Sequence, residues 1–485
     1  MTPAAPVGSR DRPGPWRLLA RWVPVLVSAA WMALPVPPVQ DLPAQAALIQ
    51  VAGQPDPLWV QGPWTGHSAA FYGIGGLLAR AIGGPAAAQV LAGLGLLLLP
   101  LGAWRLARWI EGDEDLATWG GALLGMGHIP WMGFLPFQVA LGATLCLLPE
   151  VLRRRTALGT AAWALLASAV VWSLHALALP GLWLGLLGLA PDRSRRLAAL
   201  AALPLPFVIW QATGADHGGV LWPPDPADLP DRLVRPWRFL GPPSRFLGWL
   251  PGTWLAGVAA WHLRGWRRSR PEARGAALVF LAFLALAAVL PDFLQRPRIV
   301  HPWVRLAPLA GALVVASLPR TEVPRVLRLL TLLVLCLCAA FTWVLALQER
   351  SRLQPAAEAI RSLPPGEVVL GVTLHRPPEG SWLRTYPALH LPFLYQADGL
   401  GSTLAPFTHG DSPVRLRPDA AAVADLALQD VQRYVAQGTP LATRVLTDGG
   451  DDPTFLAISG LRDLPPCPEP FPPPWRCLRL GPRKP

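Results

Sequence analysis

Ten or so apolar stretches crowd the first 348 residues, each about 16 to 22 residues long, the length that carries a helix across a bilayer. Runs such as AAAQVLAGLGLLLLPLGAW (Ala86 to Trp104) and VLRLLTLLVLCLCAAFTWVLAL from Val326 are too long and too poor in charge for ordinary core helices. In a bilayer the backbone must be satisfied within each segment, so the expected fold is mainly α, a polytopic transmembrane helix bundle. Hydrophobic residues make up 52% of the chain and charged residues 15%, and the 23 Trp suit interfacial anchors beside the apolar blocks.

The net charge of +12 is distributed unevenly: residues 349 to 485 hold 14 basic and 14 acidic side chains, so the whole excess lies among the apolar blocks. Positive charge placed there orients helices, which argues against nucleic acid as a partner. Arg10, Arg12, Arg17 and Arg21 precede the first block, Trp22 to Val36, and put the N-terminus in the cytoplasm. No small-residue cleavage site follows that block, so the helix is expected to be retained. Clusters at Arg153 to Arg155, Arg193 to Arg196, Arg264 to Arg274 and Arg320 to Arg328 fall on the same side. About eleven crossings result, including pairs near 116–131 and 133–149 and a last one at 329–348. The stretch 67–83, with Arg80 and four glycines, is left over as an interfacial or re-entrant segment. This arrangement exports two loops, about 37–85 and 214–244, and everything beyond Glu349. A single Lys (Lys484), no Asn and an excess of Ala, Gly, Pro and Arg fit a GC-rich bacterial gene, hence a bacterial inner membrane.

Two domains are therefore expected, a membrane domain over 1–348 and a small extracytoplasmic α/β or α+β domain over 349–485. In the latter, LQPAAEAIRSL reads as a short helix, EVVLGVTL as a buried strand and AAAVADLALQDVQRYVAQ as an amphipathic helix. TRVLTD and PTFLAIS read as later strands. Cys146, Cys336 and Cys338 sit inside apolar helices, whereas Cys467 and Cys477 bracket a Pro-rich loop in the exported tail. An oxidising compartment favours a disulfide there over two separate thiols.

The sharpest local signal is QDLPAQAALIQV, Gln40 to Val51, just after the first crossing. Asp41 and Gln45 stand one turn apart on an expected amphipathic helix. An acid at that level can hold a divalent metal or take a proton from a hydroxyl, and it can equally be a plain N-cap for the helix at Leu42. Arg296, Arg298 and His301 precede a later crossing and Arg305 lies a turn into it; guanidinium groups there can grip phosphate or merely snorkel. Arg232, Arg235 and Arg238 are alternatives, and Asp225 and Asp228 are acids that can join Asp41 around a metal. His128, Gln138 and His175 read as interhelical hydrogen-bonders, and His390 as a tail residue packed over the membrane site.

Taken together, these features resemble the GT-C membrane glycosyltransferases: a cytoplasmic N-terminus, one crossing, an external acid-bearing loop, many further crossings and an external C-terminal domain. Local similarity to a bacterial branch of that superfamily comes from MGFLPFQVALG (Met132 to Gly142), YPALHLPFLYQADGLGS (Tyr386 to Ser402) and WRCLRL (Trp475 to Leu480). The resemblance implies a hexosyltransferase-like enzyme that moves a sugar from a polyprenyl-phosphate donor to a glycan, lipid or protein acceptor. It implies Asp41 as the essential acid, with Mg²⁺ or Mn²⁺ as the metal, and Arg296, Arg298 and Arg305 on the donor phosphate. Gln45, Asp225, Asp228, His301 and His390 are supporting candidates. Many members of that superfamily pair the acid with a His or a second acid, where this chain has Gln45, which cannot act as a base. That departure favours a second reading, a non-catalytic scaffold or lipid-handling subunit in envelope-polysaccharide assembly.

Overall fold

The computed structural model describes residues 15–480 apart from 62–63, 65–67, 191, 203–228, 245–246, 266–269, 290–292, 295–298, 301–303, 374–384, 405–413, 418–419, 421–433, 435–440, 450–451 and 460. The order begins α1 (Pro15–Ala29), α2 (Leu42–Gly53), β1 (Trp59–Gln61), α3 (Ala69–Ile82), α4 (Gly84–Ile110), α5 (Glu114–Gly125), α6 (His128–Met132) and α7 (Leu135–Leu152). It continues with α8 (Ala157–Leu174), α9 (Leu179–Leu189), α10 (Arg193–Ala202), α11 (Leu229–Phe239), α12 (Leu250–Arg264), α13 (Pro271–Val289), β2 (Phe293–Leu294), β3 (Ile299–Val300), α14 (Ala307–Ser317) and α15 (Arg325–Arg361). The tail adds β4 (Val368–Gly371), α16 (Leu394–Ala397), β5 (Ser402–Thr403), β6 (Val414–Leu416), β7 (Arg444–Thr447), α17 (Pro453–Ile458) and β8 (Arg476–Arg479).

The chain is mainly helical, and among the described residues α4, α7, α8 and α15 are long and apolar enough to cross a membrane. Their outer faces carry what lipid solvates and water does not: Val90, Leu94, Leu158, Leu166, Leu329 and Leu333 are exposed. Small residues let the helices touch. A Cβ on Gly142 of α7 would lie 2.3 Å from the Leu98 Cβ of α4, and one on Gly102 would lie 2.5 Å from that of Leu145.

Several elements depart from expectation for identifiable reasons. The stretch 116–131 is broken between α5 and α6 at Gly127, whose backbone is extended (φ −61°, ψ −161°) and where a Cβ would sit 2.4 Å from the Phe239 carbonyl oxygen, so the chains pass there only at a glycine. α2 is not amphipathic: all twelve of its residues are buried, between α3, α4 and the segment 391–397. α3, with 14 residues, is about 21 Å long, short of a hydrocarbon core about 30 Å thick. α15 runs unbroken for 37 residues and so absorbs both the crossing at 329–348 and the helix read in LQPAAEAIRSL.

The tail holds a four-stranded mixed sheet in the order β5-β4-β7-β8, with β4 parallel to β5 and β7, and β8 antiparallel to β7. EVVLGVTL and TRVLTD supply β4 and β7. PTFLAIS, expected as a strand, is instead the helix α17, because Asp452 caps it by accepting from the Thr454 and Phe455 amides at 3.0 and 2.9 Å and Pro453 presets its first turn. Most of AAAVADLALQDVQRYVAQ lies outside the described residues. Cys467 and Cys477 form a disulfide. One contiguous apolar core runs from α1 into the tail sheet, and a second joins Leu353 and Ile360 of α15 to Val369, Tyr395 and Trp475.

Two strands pull the chain's distant parts together. β1 pairs antiparallel with β6, Trp59 opposite Leu416, so the segment after α2 is stitched to the tail. Beside it Asp56 accepts from Ser402 Oγ at 2.9 Å and Gln396 Nε2 at 3.1 Å, while Trp59 Nε1 reaches the Thr403 carbonyl.

Candidate functional site

The fold carries Asp41 into the protein. Stacked rings of Trp31 and Trp131, 4.7 Å apart, bring the chain after α1 against α6. There the amides of Gln40 and Asp41 donate to the carbonyls of Trp131 and Met132 at 2.9 and 3.2 Å. Gly133 closes the contact with φ of +79°, and a Cβ on it would stand 2.7 Å from the Asp41 Cβ. Asp41 thus occupies the N-cap position of α2, yet its side chain makes no capping bond. The residue is 6% exposed, and its Oδ1 accepts from Gln40 Nε2 at 3.3 Å and faces His390 Nε2 at 3.4 Å.

His390 arrives from the other end of the chain. The Tyr386 amide donates to Gln40 Oε1 at 3.1 Å, and Leu391 to Ala397 then pack, all buried, beside α2. One carboxamide therefore holds both partners: its nitrogen on Asp41, its oxygen on the strap that carries His390. Arg305 completes the set, buried in the 3-10 turn (Val304–Leu306) that leads into α14, its Cζ 3.5 Å from the Phe134 ring centroid and within electrostatic reach of Asp41. One turn along α2, Gln45 Oε1 accepts from the Tyr72 hydroxyl at 2.9 Å.

Asp41, Gln45, Arg305 and His390 are thus together. Arg296, Arg298, His301, Asp225 and Asp228 lie outside the described residues. Asp231 binds the guanidinium of Arg235 and lies 3.3 Å from that of Arg238, whose Cζ stands 4.9 Å from the Trp249 ring. His128 Nδ1 meets the Gly241 carbonyl and His175 Nδ1 accepts from the Leu177 amide, while the buried Gln138 amide finds no hydrogen-bond partner among the described residues. Gln40, Tyr72 and Phe134 are members that the sequence did not single out. The glycine of MGF was the available signal for Phe134 and Gly133.

A carboxylate beside a ring nitrogen can take a proton from a hydroxyl and hold it, with the imidazole fixing the orientation. Among the described residues the donor set suits a metal poorly; Asp225 and Asp228 lie outside them. Among the described residues no group of three His, Cys, Asp or Glu side chains within ligand distance includes Asp41; the one that exists, Cys467, Glu469 and Cys477, has both sulfurs in a disulfide. One carboxylate, a ring nitrogen and a carboxamide beside a guanidinium are not the oxygen-rich cage that Mg²⁺ or Mn²⁺ takes. No protein-family model matches this chain, and neither a curated protein nor a solved structure does.

Proposed function

We propose that the protein is a GT-C-like glycosyltransferase of a bacterial inner membrane, with about eleven crossings, a cytoplasmic N-terminus and an extracytoplasmic tail. It moves a sugar from a polyprenyl-phosphate donor to an extracytoplasmic acceptor. The observation that carries this reading is the buried Asp41 carboxylate facing a half-buried His390, 349 positions away in sequence, with Arg305 at its side. Burial of an acid that caps nothing costs stability, and such groups are retained chiefly where chemistry uses them.

In this scheme the acceptor hydroxyl oxygen bonds to the anomeric carbon while the carbon–oxygen bond to phosphate breaks, its electron pair leaving with the polyprenyl phosphate. Asp41 takes the hydroxyl proton. His390 orients the carboxylate, and Arg305 stabilises the charge on the departing phosphate. No step draws on a metal.

One observation favours the non-catalytic reading: Asp41 is closed off, with Gly133 against its Cβ and Gln40 and His390 on Oδ1. The two readings separate in cells lacking the protein. If wild type restores the envelope glycan profile and Asp41→Asn, present at the same level, does not, the enzyme reading stands. Equal rescue by Asp41→Asn would make the chain a scaffold.

A further inference from the structure

A groove of about 490 Å³ opens between α9, α10 and α13, away from Asp41. Its floor exists because glycines let two helices meet: a Cβ on Gly275 would fall 1.8 Å from the Gly188 carbonyl oxygen. Leu184, Leu278 and Val279 give it apolar walls, and Leu278 is exposed. The lining also holds two guanidinium-bearing side chains, Arg196 and Arg274. Arg196 is exposed, with Nε on the Ala190 carbonyl at 3.1 Å. Arg274 Nε is buried and has no hydrogen-bond partner among the described residues.

An apolar trough alone would take any acyl chain. Two guanidinium groups in its lining select a chain that ends in an anion, because guanidinium N–H groups grip phosphate oxygens bidentately. We infer that this groove is a site for an anionic phospholipid, its phosphate on Arg196 and Arg274 and an acyl chain along Leu184 and Leu278. Basic pockets between membrane helices hold anionic head groups in this way. Which leaflet it serves rests on the orientation proposed above; the lipid chemistry does not.

Delipidated full-length protein titrated with phosphatidylglycerol, phosphatidylcholine or inorganic phosphate, with bound molecules counted by native mass spectrometry, tests this without reading sugar transfer. One saturable phosphatidylglycerol is expected, with phosphatidylcholine weaker and inorganic phosphate unbound. Arg196→Gln should weaken it about five-fold, and the Arg196→Gln/Arg274→Gln pair about 25-fold. Leu278→Trp, which fills the trough and leaves both arginines in place, should abolish the saturable site. If the Arg274 variant does not fold, Arg196→Gln and Leu278→Trp, both at exposed positions, carry the test. Equal affinity for the two lipids, or phosphatidylglycerol binding untouched by Arg196→Gln and Leu278→Trp, overturns the assignment, as does tight binding of inorganic phosphate alone.

Discussion

Replacing Gly133 by alanine tests whether Asp41 is held by close packing. Two costs add at this position. The backbone sits at φ +79°, where an L-residue pays about 1–2 kcal/mol. A new Cβ would lie 2.7 Å from the Asp41 Cβ, with the Asp41 amide nitrogen at 2.8 Å, so rigid backbone has to shift, and overpacking of this kind costs about 1–3 kcal/mol. The sum is about 2–5 kcal/mol. Two internal controls separate the parts. Gly366, which follows Pro364-Pro365 in a turn, has φ +84° with nothing within 4 Å of an added Cβ, so Gly366→Ala carries only the backbone strain. Gly93, in the body of α4, has open space and ordinary helical backbone, so Gly93→Ala should be neutral or slightly stabilising. The assay is the thermal midpoint of purified protein in mild detergent, read as loss of the monodisperse peak. The expected order of stability is Gly93→Ala, wild type, Gly366→Ala, Gly133→Ala, with activity also lowest in the last. A Gly133→Ala protein no less stable than Gly366→Ala would refute the packing argument.

Other expectations concern charge. For Glu469, burial pushes the carboxyl up, but the Arg444 guanidinium, 2.5 Å away, and a backbone bond outweigh it and leave the group below its ordinary 4.5. A depressed carboxyl adds stability above its unfolded value and loses it as pH falls through the folded one. Tail-sheet stability, followed by amide exchange of β7, should therefore drop below about pH 4.5, and Glu469→Gln should flatten that drop; an identical acid profile in the variant would remove Glu469 from the account. Asp113 behaves oppositely: burial lifts its carboxyl despite the Leu116 amide and Arg328. Since the charged form is disfavoured, Asp113→Asn, which keeps the cap of α5, should be roughly 1 kcal/mol more stable than Asp113→Ala; equal losses would mean that the cap is not what matters. Sugar transfer should survive EDTA within a few-fold, and its complete loss with recovery on added Mg²⁺ would show that a metal cage forms after all.

Much of this architecture is written locally and some of it is not. Long apolar runs such as 86–104 announce α4 because periodicity and length are read within the run itself. The strands of EVVLGVTL and TRVLTD are likewise legible. By contrast, β1 and β6 are three residues each and gain meaning only from one another, 355 positions apart. PTFLAIS has the composition of a strand, and the Asp452-Pro453 cap decides otherwise. The residues around Asp41 show the same division. Asp41, Gln45, Arg305 and His390 each stand out by type and place, yet nothing in the order of residues indicates that His390 meets Asp41. That contact depends on Gln40, an ordinary neighbour whose role appears only when the Tyr386 amide arrives opposite it. Three glutamines among apolar residues make α2 read as amphipathic, whereas Gln45 and Gln50 are buried and bond to Tyr72, the Gly84 amide and Gln54.

The most direct test of the central claim is transfer of labelled sugar from a panel of polyprenyl-phosphate donors in membranes that hold wild type, Asp41→Asn, His390→Gln or the double variant at matched expression. Residues that act as one unit are not additive, so each single change should cost about 10²–10⁴-fold and the double change no more than the worse single one. Transfer by Asp41→Asn at the wild-type rate, or losses that multiply in the double variant, would contradict the account.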